Sequence, residues 1–446
     1  MIYILFFILI IIYLVSYFVS QKFFSPSCLI CLSYIVAVYF AILNINVWKI
    51  DLSEKTFWII IVGVLAFVMQ FVIIYFLYYG NRMNVNKLKE KNKINQIKVD
   101  SKIINIFLIF ETLSLLMYIY FSMKSMNVGL DITKFFTKIS SYRLMKIDGE
   151  EISGIPFYVK QLIKLSKAFF CVYSYVIINN LIYANVKNIK YKISIKYFFS
   201  FGLLVIISLF SASRFDLAIM LTYVFMLYYI LSYRHNNRKK VDLKKVIKLV
   251  TIIMVVIYLF SATKELFGRT GEYTTIEYLS HYFGGSIELL DLYIRNPITK
   301  SDIWGKETFF AINNTLSNFG VINAKYTIHL EWRYSNGVSL GNVYTAFRMY
   351  YNDFGMAGVI ILQILLSFIF SIGYIKSLES KENGIDFGTI IYCYCIFSLV
   401  LHSYRDFFYS QIISINYINI IIYVYVVKLI FENVKLSGRK GVIYDK

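Results

Sequence analysis

Long apolar runs are the feature that most constrains how this chain can fold. Apolar residues fill 58% of the 446 positions, and charged residues fill only 16%. A helix needs roughly 17 to 25 mostly apolar residues to cross a hydrocarbon core of about 30 Å. We find eleven candidate spans, several of them short, at about 2–20, 28–43, 56–79, 103–123, 162–184, 197–211, 216–232, 247–262, 356–375, 388–402 and 411–430. The sequence therefore predicts an all-α, polytopic integral membrane protein, with residues 1–446 forming a single membrane domain.

The basic residues predict the orientation of these spans, because Lys and Arg in short loops are retained on the cytoplasmic side. The three most basic segments are 82–102, 187–196 and 234–248. Placing all three inside puts the N-terminus outside and the basic residues after 434 inside. The first run has no basic segment before it and no small-residue cleavage site after it, which favours a retained span. Two larger segments then lie outside, a smaller loop at 124–160 and a large loop at 263–354.

The formal net charge of +20 and the five cysteines point to no further partner or cofactor. In a chain this apolar, the excess of cations is explained by inside loops and anionic lipid headgroups, so we expect no nucleic acid partner. The cysteines lie in or beside apolar runs, and Cys28-x-x-Cys31 has no second pair or histidine cluster with it. We expect small core residues without disulfides.

Arginine is enriched on the predicted outer face, although topology requires only positive charge. Seven of the eleven arginines lie there: Arg143, Arg214, Arg269, Arg295, Arg333, Arg348 and Arg405. A guanidinium binds carboxylate or phosphate with two parallel hydrogen bonds, which suggests acidic ligands. The alternative is structural salt bridges to Glu272, Glu277, Glu288, Asp291, Glu307 or Glu331.

Three of these arginines are expected in one layer, at the depth of lipid phosphates. Arg214 ends the short turn Ser211–Arg214, Arg405 lies in the turn His402–Asp406, and Arg348 lies just before the ninth span. Arginines that extend into the headgroup region and contact lipid are the alternative interpretation.

The segment 341–358, GNVYTAFRMYYNDFGMAG, places several polar residues beside an apolar span. If 342–353 is helical, Thr345, Arg348 and Asn352 share one face, and Asp353 projects about 140° away from Arg348. Asp353 is then either a base or the N-cap of the next helix.

Other residues of the outer face also have two interpretations. His281, in the run His281–Gly285, is either a hydrogen-bonded structural residue or a catalytic one. Lys160, Lys164 and Lys167 form a cationic stripe that would hold a lipid diphosphate or anionic headgroups. The outer aromatic residues suit either sugar rings or an interfacial belt: Tyr273, Tyr278, Tyr282, Trp304, Trp332 and Tyr334.

The run Asn342–Gly358 resembles the "NVYT…DFG..G" segment of oligosaccharide repeat-unit polymerases, the Wzy family of O-antigen and capsule polymerases. The turn Ser211–Arg214 is similar to the "SxSR" turn of that family, with Ala212 where glycine is common. The plan of many spans with one dominant outer loop late in the chain also matches.

This resemblance implies a GT-C-like glycosyltransferase of the bacterial cytoplasmic membrane that works on its outer leaflet. The growing glycan moves from its undecaprenyl diphosphate onto the non-reducing end of an incoming lipid-linked unit. Arg214, Arg348 and Arg405 would stabilise the leaving diphosphate, and Asp353 or His281 would accept the hydroxyl proton. Neither a cofactor nor a divalent metal is expected, and a chain-length regulator is left open as a partner. The remaining substrate-binding candidates are Arg269, Arg333, Asn342, Tyr344 and Thr345.

Two other functions stay open at this point. An O-antigen ligase-like transferase would have a similar arginine-rich outer face but would add its glycan once, to a different acceptor. A lipid-oligosaccharide flippase or transporter should carry charged residues throughout its spans and a two-fold pseudo-repeat. The concentration of charge in one outer loop favours an enzyme.

Overall fold

The computed structural model describes residues 1–80, 94–142, 155–213, 215–235, 251, 274–298, 303–322 and 330–434. Within these ranges the chain is mostly helical, with one short antiparallel hairpin. The helices are α1 (Ile2–Ser20), α2 (Pro26–Leu43), α3 (Ile45–Trp48), α4 (Glu54–Gly80), α5 (Ser101–Ser125), α6 (Ile132–Thr137), α7 (Phe157–Lys187), α8 (Ile195–Phe210), α9 (Phe215–His235), α10 (Thr275–Phe283), α11 (Gly285–Arg295), α12 (Phe310–Asn318), α13 (Ala346–Glu379), α14 (Phe387–Cys395), α15 (Phe397–Val400) and α16 (Ile415–Asn433). The strands are β1 (Arg333–Ser335) and β2 (Val338–Gly341), and Phe408–Ile412 forms a π-helical turn.

The helices confirm an all-α, polytopic membrane protein. Eight of those described are long and apolar enough to cross a membrane: α1, α2, α4, α5, α7, α9, α13 and α16. Two shorter apolar stretches, Ile195–Phe210 and Phe387–Val400, lie at the expected sixth and tenth spans. The expected eighth span, 247–262, falls almost wholly outside the described residues. Large apolar side chains such as Phe7 and Phe18 are exposed on α1, as lipid-facing residues are.

The helices begin where the sequence supplies caps. Ser25 accepts a hydrogen bond from the Cys28 amide ahead of Pro26, which opens α2. Asp100 and Ser194 accept from the second residues of α5 and α8. A capping box of Thr274 and Glu277 opens α10. These side chains satisfy amides that a helix leaves without an internal partner.

The chain divides into two compact units, each assembled from segments that are distant in sequence. The first unit comprises 1–89, 273–375 and 395–417 and so contains the described part of the predicted large loop. In it, α10 packs on α2 and α3, with Phe283 stacked on Phe40 at 5.6 Å and His281 5.5 Å from Trp48. The expectation of a single membrane domain stays a prediction.

The second unit comprises 90–272, 376–394 and 418–446. Its core includes Phe135, Phe170 and Phe210, which come from α6, α7 and α8. Arg234, at the end of α9, is buried and donates to Asp386 over 3.0 Å. All five cysteines of the chain, in either unit, are buried and free, which confirms the prediction for them.

A glycine interrupts α13 at the start of its apolar part. Gly355 has φ 65° and ψ −157°, a backbone conformation that residues other than glycine essentially do not adopt. Three residues later, a Cβ on Gly358 would lie 2.4 Å from the Cβ of Phe354. Backbone conformation therefore explains glycine at position 355, and close packing explains it at position 358. The helix begins at Ala346, so Thr345 precedes it and does not share a helical face with Arg348, contrary to the expectation of a helix over 342–353.

Candidate functional site

Arg348 lies in the interior of the first unit, paired with two acids of the large loop. Its side chain is 0% exposed and donates to the carboxylates of Glu307 and Glu331, the latter over 2.8 Å. The guanidinium carbon also lies 4.5 Å from the ring centre of Tyr293 and 5.0 Å from that of Tyr344. Of the two interpretations of the outer arginines, structural salt bridges describe Arg348.

Arg333 is also paired, through the same acid. It donates to Glu331 over 3.1 Å and to the backbone oxygens of Leu292 and Asn296 over 2.7 Å each. Tyr344 is buried and donates to the backbone oxygen of Glu331 over 2.9 Å. Arg333 therefore fastens the β-hairpin to the C-terminal end of α11, and Glu331 bridges two arginines.

Asp353 lies on the same helix as Arg348 but binds backbone amides. One of its carboxylate oxygens accepts from the amides of Glu307 at 3.1 Å and Thr308 at 2.8 Å. Asn352, next to it, accepts a 2.7 Å hydrogen bond from the Tyr293 hydroxyl. Asp353 thus holds the turn that carries Glu307, an anchoring role that neither expectation for Asp353 included.

The segment Leu401–Phe407, which we call the arginine loop, is anchored on two helices. His402 contacts the hydroxyl of Tyr34 over 3.0 Å and Gln363 over 2.7 Å. The Ser403 amide donates to the hydroxyl of Ser33 over 3.0 Å. The amide of Ala346 donates to the backbone oxygen of His402 over 3.1 Å. These contacts with α2 and α13 fix the position of the loop backbone.

Arg405 has no side-chain hydrogen bond or ion pair within the described part of the chain. The adjacent acid, Asp406, is already occupied, because it accepts from the Tyr350 hydroxyl and from the amides of Phe408, Tyr409 and Ser410. Burial raises the pKa of the Asp406 carboxyl to about 6 and lowers the pKa of the Arg405 guanidinium. Arg405 is therefore a half-buried cation without a described hydrogen bond or ion pair, and the nearby charge of Asp406 only partly offsets the cost of its burial.

Aromatic rings connect the arginine loop to α10. Tyr404 stacks on Tyr282, with ring centres 6.0 Å apart and planes within 9°, and also on Phe407, with ring centres 6.3 Å apart. His281 is the neighbour of Tyr282, and Arg405 is the neighbour of Tyr404. Burial lowers the pKa of the His281 imidazole, partly opposed by the charge of Glu277, so the ring is neutral at neutral pH. The first unit thus carries a neutral imidazole, flat aromatic rings and a guanidinium that makes no described hydrogen bond.

The structure does not bring Arg348 and Arg405 together. Ala346 and Tyr350, which contact the arginine loop, lie four residues apart on one face of α13. Arg348, midway between them, projects about 160° away around the helix. The predicted common layer therefore does not form between these two arginines.

The remaining residues that the sequence suggested for the site are partly described by the structure. Thr345 and Tyr344 are buried, and Asn342 is half-buried beside the hairpin. Arg214 and Arg269 lie outside the described residues. The sequence did not indicate that Glu307 and Glu331 would pair with Arg348. It also did not indicate that Ser33 and Tyr34 anchor the arginine loop.

Comparisons with protein-family models, with curated proteins and with solved structures find no match to this chain.

Proposed function

We propose that this protein is a polymerase of lipid-linked oligosaccharide repeat units, a GT-C-like enzyme with eleven spans in the cytoplasmic membrane of a bacterium. Its site would face outward, on the arginine loop and α10. The observation that carries the proposal is Arg405, a half-buried guanidinium without a described partner, beside the stacked rings of Tyr404 and Tyr282.

Arg405 suits the leaving group of this reaction. A partly desolvated cation is unfavourable unless its hydrogen-bond donors find acceptors, so a diphosphate would supply acceptor oxygens and further negative charge. The anchored loop keeps the guanidinium in place before the substrate arrives, which is the arrangement that stabilises charge developing in a transition state. Arg405 thus supplies positive charge without a metal ion.

His281 suits the acceptor side. The acceptor hydroxyl oxygen attacks the anomeric carbon at the reducing end of the growing glycan, and its proton passes to the neutral imidazole. The bond between that carbon and the diphosphate oxygen breaks, and undecaprenyl diphosphate leaves with its negative charge near Arg405. A base is most effective when its neutral form is populated at the working pH, as burial ensures for His281.

Arg348, Arg333 and Asp353 belong, in this proposal, to the framework of the site. Two carboxylates already balance Arg348, and Arg333 is bound to Glu331 and to two backbone oxygens. Arg348, Arg333 and Asp353 hold the segments around Glu307 and Glu331 in place. Tyr282 and Tyr404 would offer their ring faces to sugars.

The test is reconstitution of the full chain in liposomes with a lipid-linked repeat unit, followed by separation of the products by length. A ladder of products supports the polymerase, whereas one addition indicates a ligase-like transferase and no transfer contradicts both. Arg405→Ala should abolish transfer. Arg295→Ala is the matched control, since Arg295 is partly exposed and paired with Asp291.

A further inference from the structure

Glu288 is a buried acid on α11 that the proposed site does not use. The residue is 4% exposed. One of its carboxyl oxygens contacts the hydroxyl of Ser335 over 2.7 Å, and the other is buried without a hydrogen-bond partner among the described residues. An ionised carboxylate in such a place is costly, because each of its oxygens has lost the water that would solvate it.

The hydroxyl of Ser335, on β1, lies between two acceptors. Its oxygen is 2.7 Å from the Glu288 carboxyl and 2.7 Å from the backbone oxygen of Trp48, at the end of α3. Both distances are those of O–H···O hydrogen bonds. A serine hydroxyl carries one hydrogen, a backbone carbonyl carries none, and an ionised carboxylate carries none. A proton on Glu288 supplies the second hydrogen, so that Glu288 donates to Ser335 and Ser335 donates to Trp48.

The charges close to Glu288 also favour its neutral form. Burial is the main reason that the pKa of the Glu288 carboxyl is raised, and the negative charges of Asp291 and Asp51 raise this pKa further. The hydrogen bond from Ser335 and the charge of Arg295 oppose the rise only in part. Arg295 is already paired with Asp291 over 2.7 Å.

Other charged side chains around α11 are engaged elsewhere. On the neighbouring ends of α4, α10, α13 and the hairpin, the described acids, bases and histidine are Glu54, Lys55, Glu277, His281, Arg333, Arg348 and Asp353. Each has a contact of its own with a residue other than Glu288. Lys49, after α3, is exposed, and α2 carries no charged residue. The charges that act most on Glu288 are therefore Asp291, Arg295 and Asp51.

The Ser335 hydroxyl helps to fasten the hairpin to the rest of the first unit. Asn336, in the hairpin turn, donates to the backbone oxygen of Val47 over 2.9 Å. Arg333, before Ser335, donates to the backbone oxygen of Leu292 over 2.7 Å. If Glu288 loses its proton, Ser335 has one hydrogen for two acceptors and a second carboxylate charge appears beside that of Asp291. The hairpin is then held less tightly on α3 and α11.

We propose that Glu288 binds a proton and acts as a pH-dependent latch, which holds the hairpin on α3 and α11 while protonated and loosens it when the proton leaves. The latch makes this part of the large loop tighter in acidic surroundings and looser in alkaline ones. It does not depend on the proposed transfer reaction, so the latch and the polymerase can fail independently.

The first test is backbone hydrogen exchange, measured by mass spectrometry on the full-length protein in nanodiscs over a range of pH. Glu288→Gln is the reference, because its amide donates to Ser335 at every pH, and comparison at equal pH cancels the intrinsic pH dependence of exchange. Between the ordinary glutamate pKa of about 4.3 and the raised value, opening of the latch releases a proton. Exchange at 333–341 in the unsubstituted chain should therefore rise about 10-fold per pH unit relative to Glu288→Gln.

The control for this comparison is Glu54→Gln, which removes an exposed carboxyl at the start of α4. It should follow the unsubstituted chain at every pH. A ratio between the unsubstituted chain and Glu288→Gln that stays constant across the pH range would overturn the proposal.

Infrared spectroscopy tests the proton itself. The absorption of a protonated carboxyl group should be present at neutral pH in the unsubstituted chain and lost in Glu288→Gln. Ser335→Ala should shift this band to higher frequency, because the acid O–H loses its acceptor, whereas Ser339→Ala, at a half-buried serine of β2, should leave it in place. The two variants are read separately, so a folding defect in one leaves the other decisive. A band that survives in Glu288→Gln, or that does not shift in Ser335→Ala, would overturn the proposal.

Discussion

Arg348 donates to Glu331 over 2.8 Å, and the same carboxylate accepts from Arg333 over 3.1 Å. Together with Glu307, these residues join α13, the β-hairpin and the turn before α12. Because the pairs are largely removed from solvent, losing one partner leaves a charge that water cannot reach easily. The cluster is therefore a structural requirement for the large loop.

Replacing Arg348 should lower the stability of this part of the chain, because Arg348 is a structural residue in this account. Arg348→Ala leaves two carboxylates without their cation and should cost about 3–5 kcal/mol. The loss is measured as a lower midpoint of thermal unfolding of the solubilised protein. Lys134→Ala, at a side chain 71% exposed and paired with the partly exposed Asp131, should shift the midpoint little. Equal midpoints for both variants would contradict the structural role of Arg348.

Gly355 of the DFG..G pattern should not tolerate a side chain. Gly355→Ala places a Cβ on a backbone with φ 65° and ψ −157° and should cost about 1–3 kcal/mol of stability. Gly202→Ala is the control, since Gly202 is helical and no atom lies within 4 Å of its added Cβ. That change should be neutral or stabilising, because alanine favours a helix over glycine. Comparable thermal midpoints for the two variants would contradict the break in α13.

Two substitutions distinguish an anchoring role of Asp353 from a role as the catalytic base. Asp353→Asn keeps an oxygen that accepts from the Glu307 and Thr308 amides, so transfer activity should remain near that of the unsubstituted chain. Asp353→Ala leaves those amides without an acceptor and should cost about 1–3 kcal/mol of stability. Activity is measured with the reconstituted chain. A folded but inactive Asp353→Asn variant would instead make Asp353 the base.

His281 should set the acidic limit of the transfer rate. A base must be neutral, and burial holds the pKa of His281 below the ordinary histidine value of about 6.5. The rate should therefore begin to fall at a more acidic pH than an ordinary histidine would give, as the imidazole gains a proton.

Two histidine variants separate the candidates for this pH dependence. His281→Gln should lose most activity at every pH and lose the acidic limb, whereas His329→Gln, in the same predicted outer loop, should keep both. The measurement is the initial rate of glycan transfer across the pH range. An acidic limb that survives in His281→Gln would show that another group is the base.

The membrane helices were predictable, because a membrane span is recognised by the length and apolar composition of a single continuous run. The ninth expected span, 356–375, coincides with the part of α13 that follows Gly355. The helix over 342–353 was predicted four residues too early, since Tyr344 turns inward to Glu331 before the helix starts. Local periodicity does not contain such a contact with another segment.

The arginines show why the site was harder to predict than the fold. Arg348 and Arg405 look alike in sequence, each near the end of a span and each close to an acid. Their difference depends on tertiary contacts: Glu307, 41 residues away, reaches Arg348, whereas Asp406 is occupied by the amides of the π-helical turn. Only the folded chain distinguishes a paired arginine from one available to a ligand.

The most direct measurement is the length of the surface polysaccharide, read as a gel ladder from a deletion strain complemented with defined variants at matched membrane abundance. The full chain and Arg295→Ala should restore a ladder, Arg405→Lys should restore it weakly, and Arg405→Ala should leave only single repeat units. A normal ladder with Arg405→Ala would contradict the proposed diphosphate site. A ladder that persists in the deletion strain itself would contradict the polymerase.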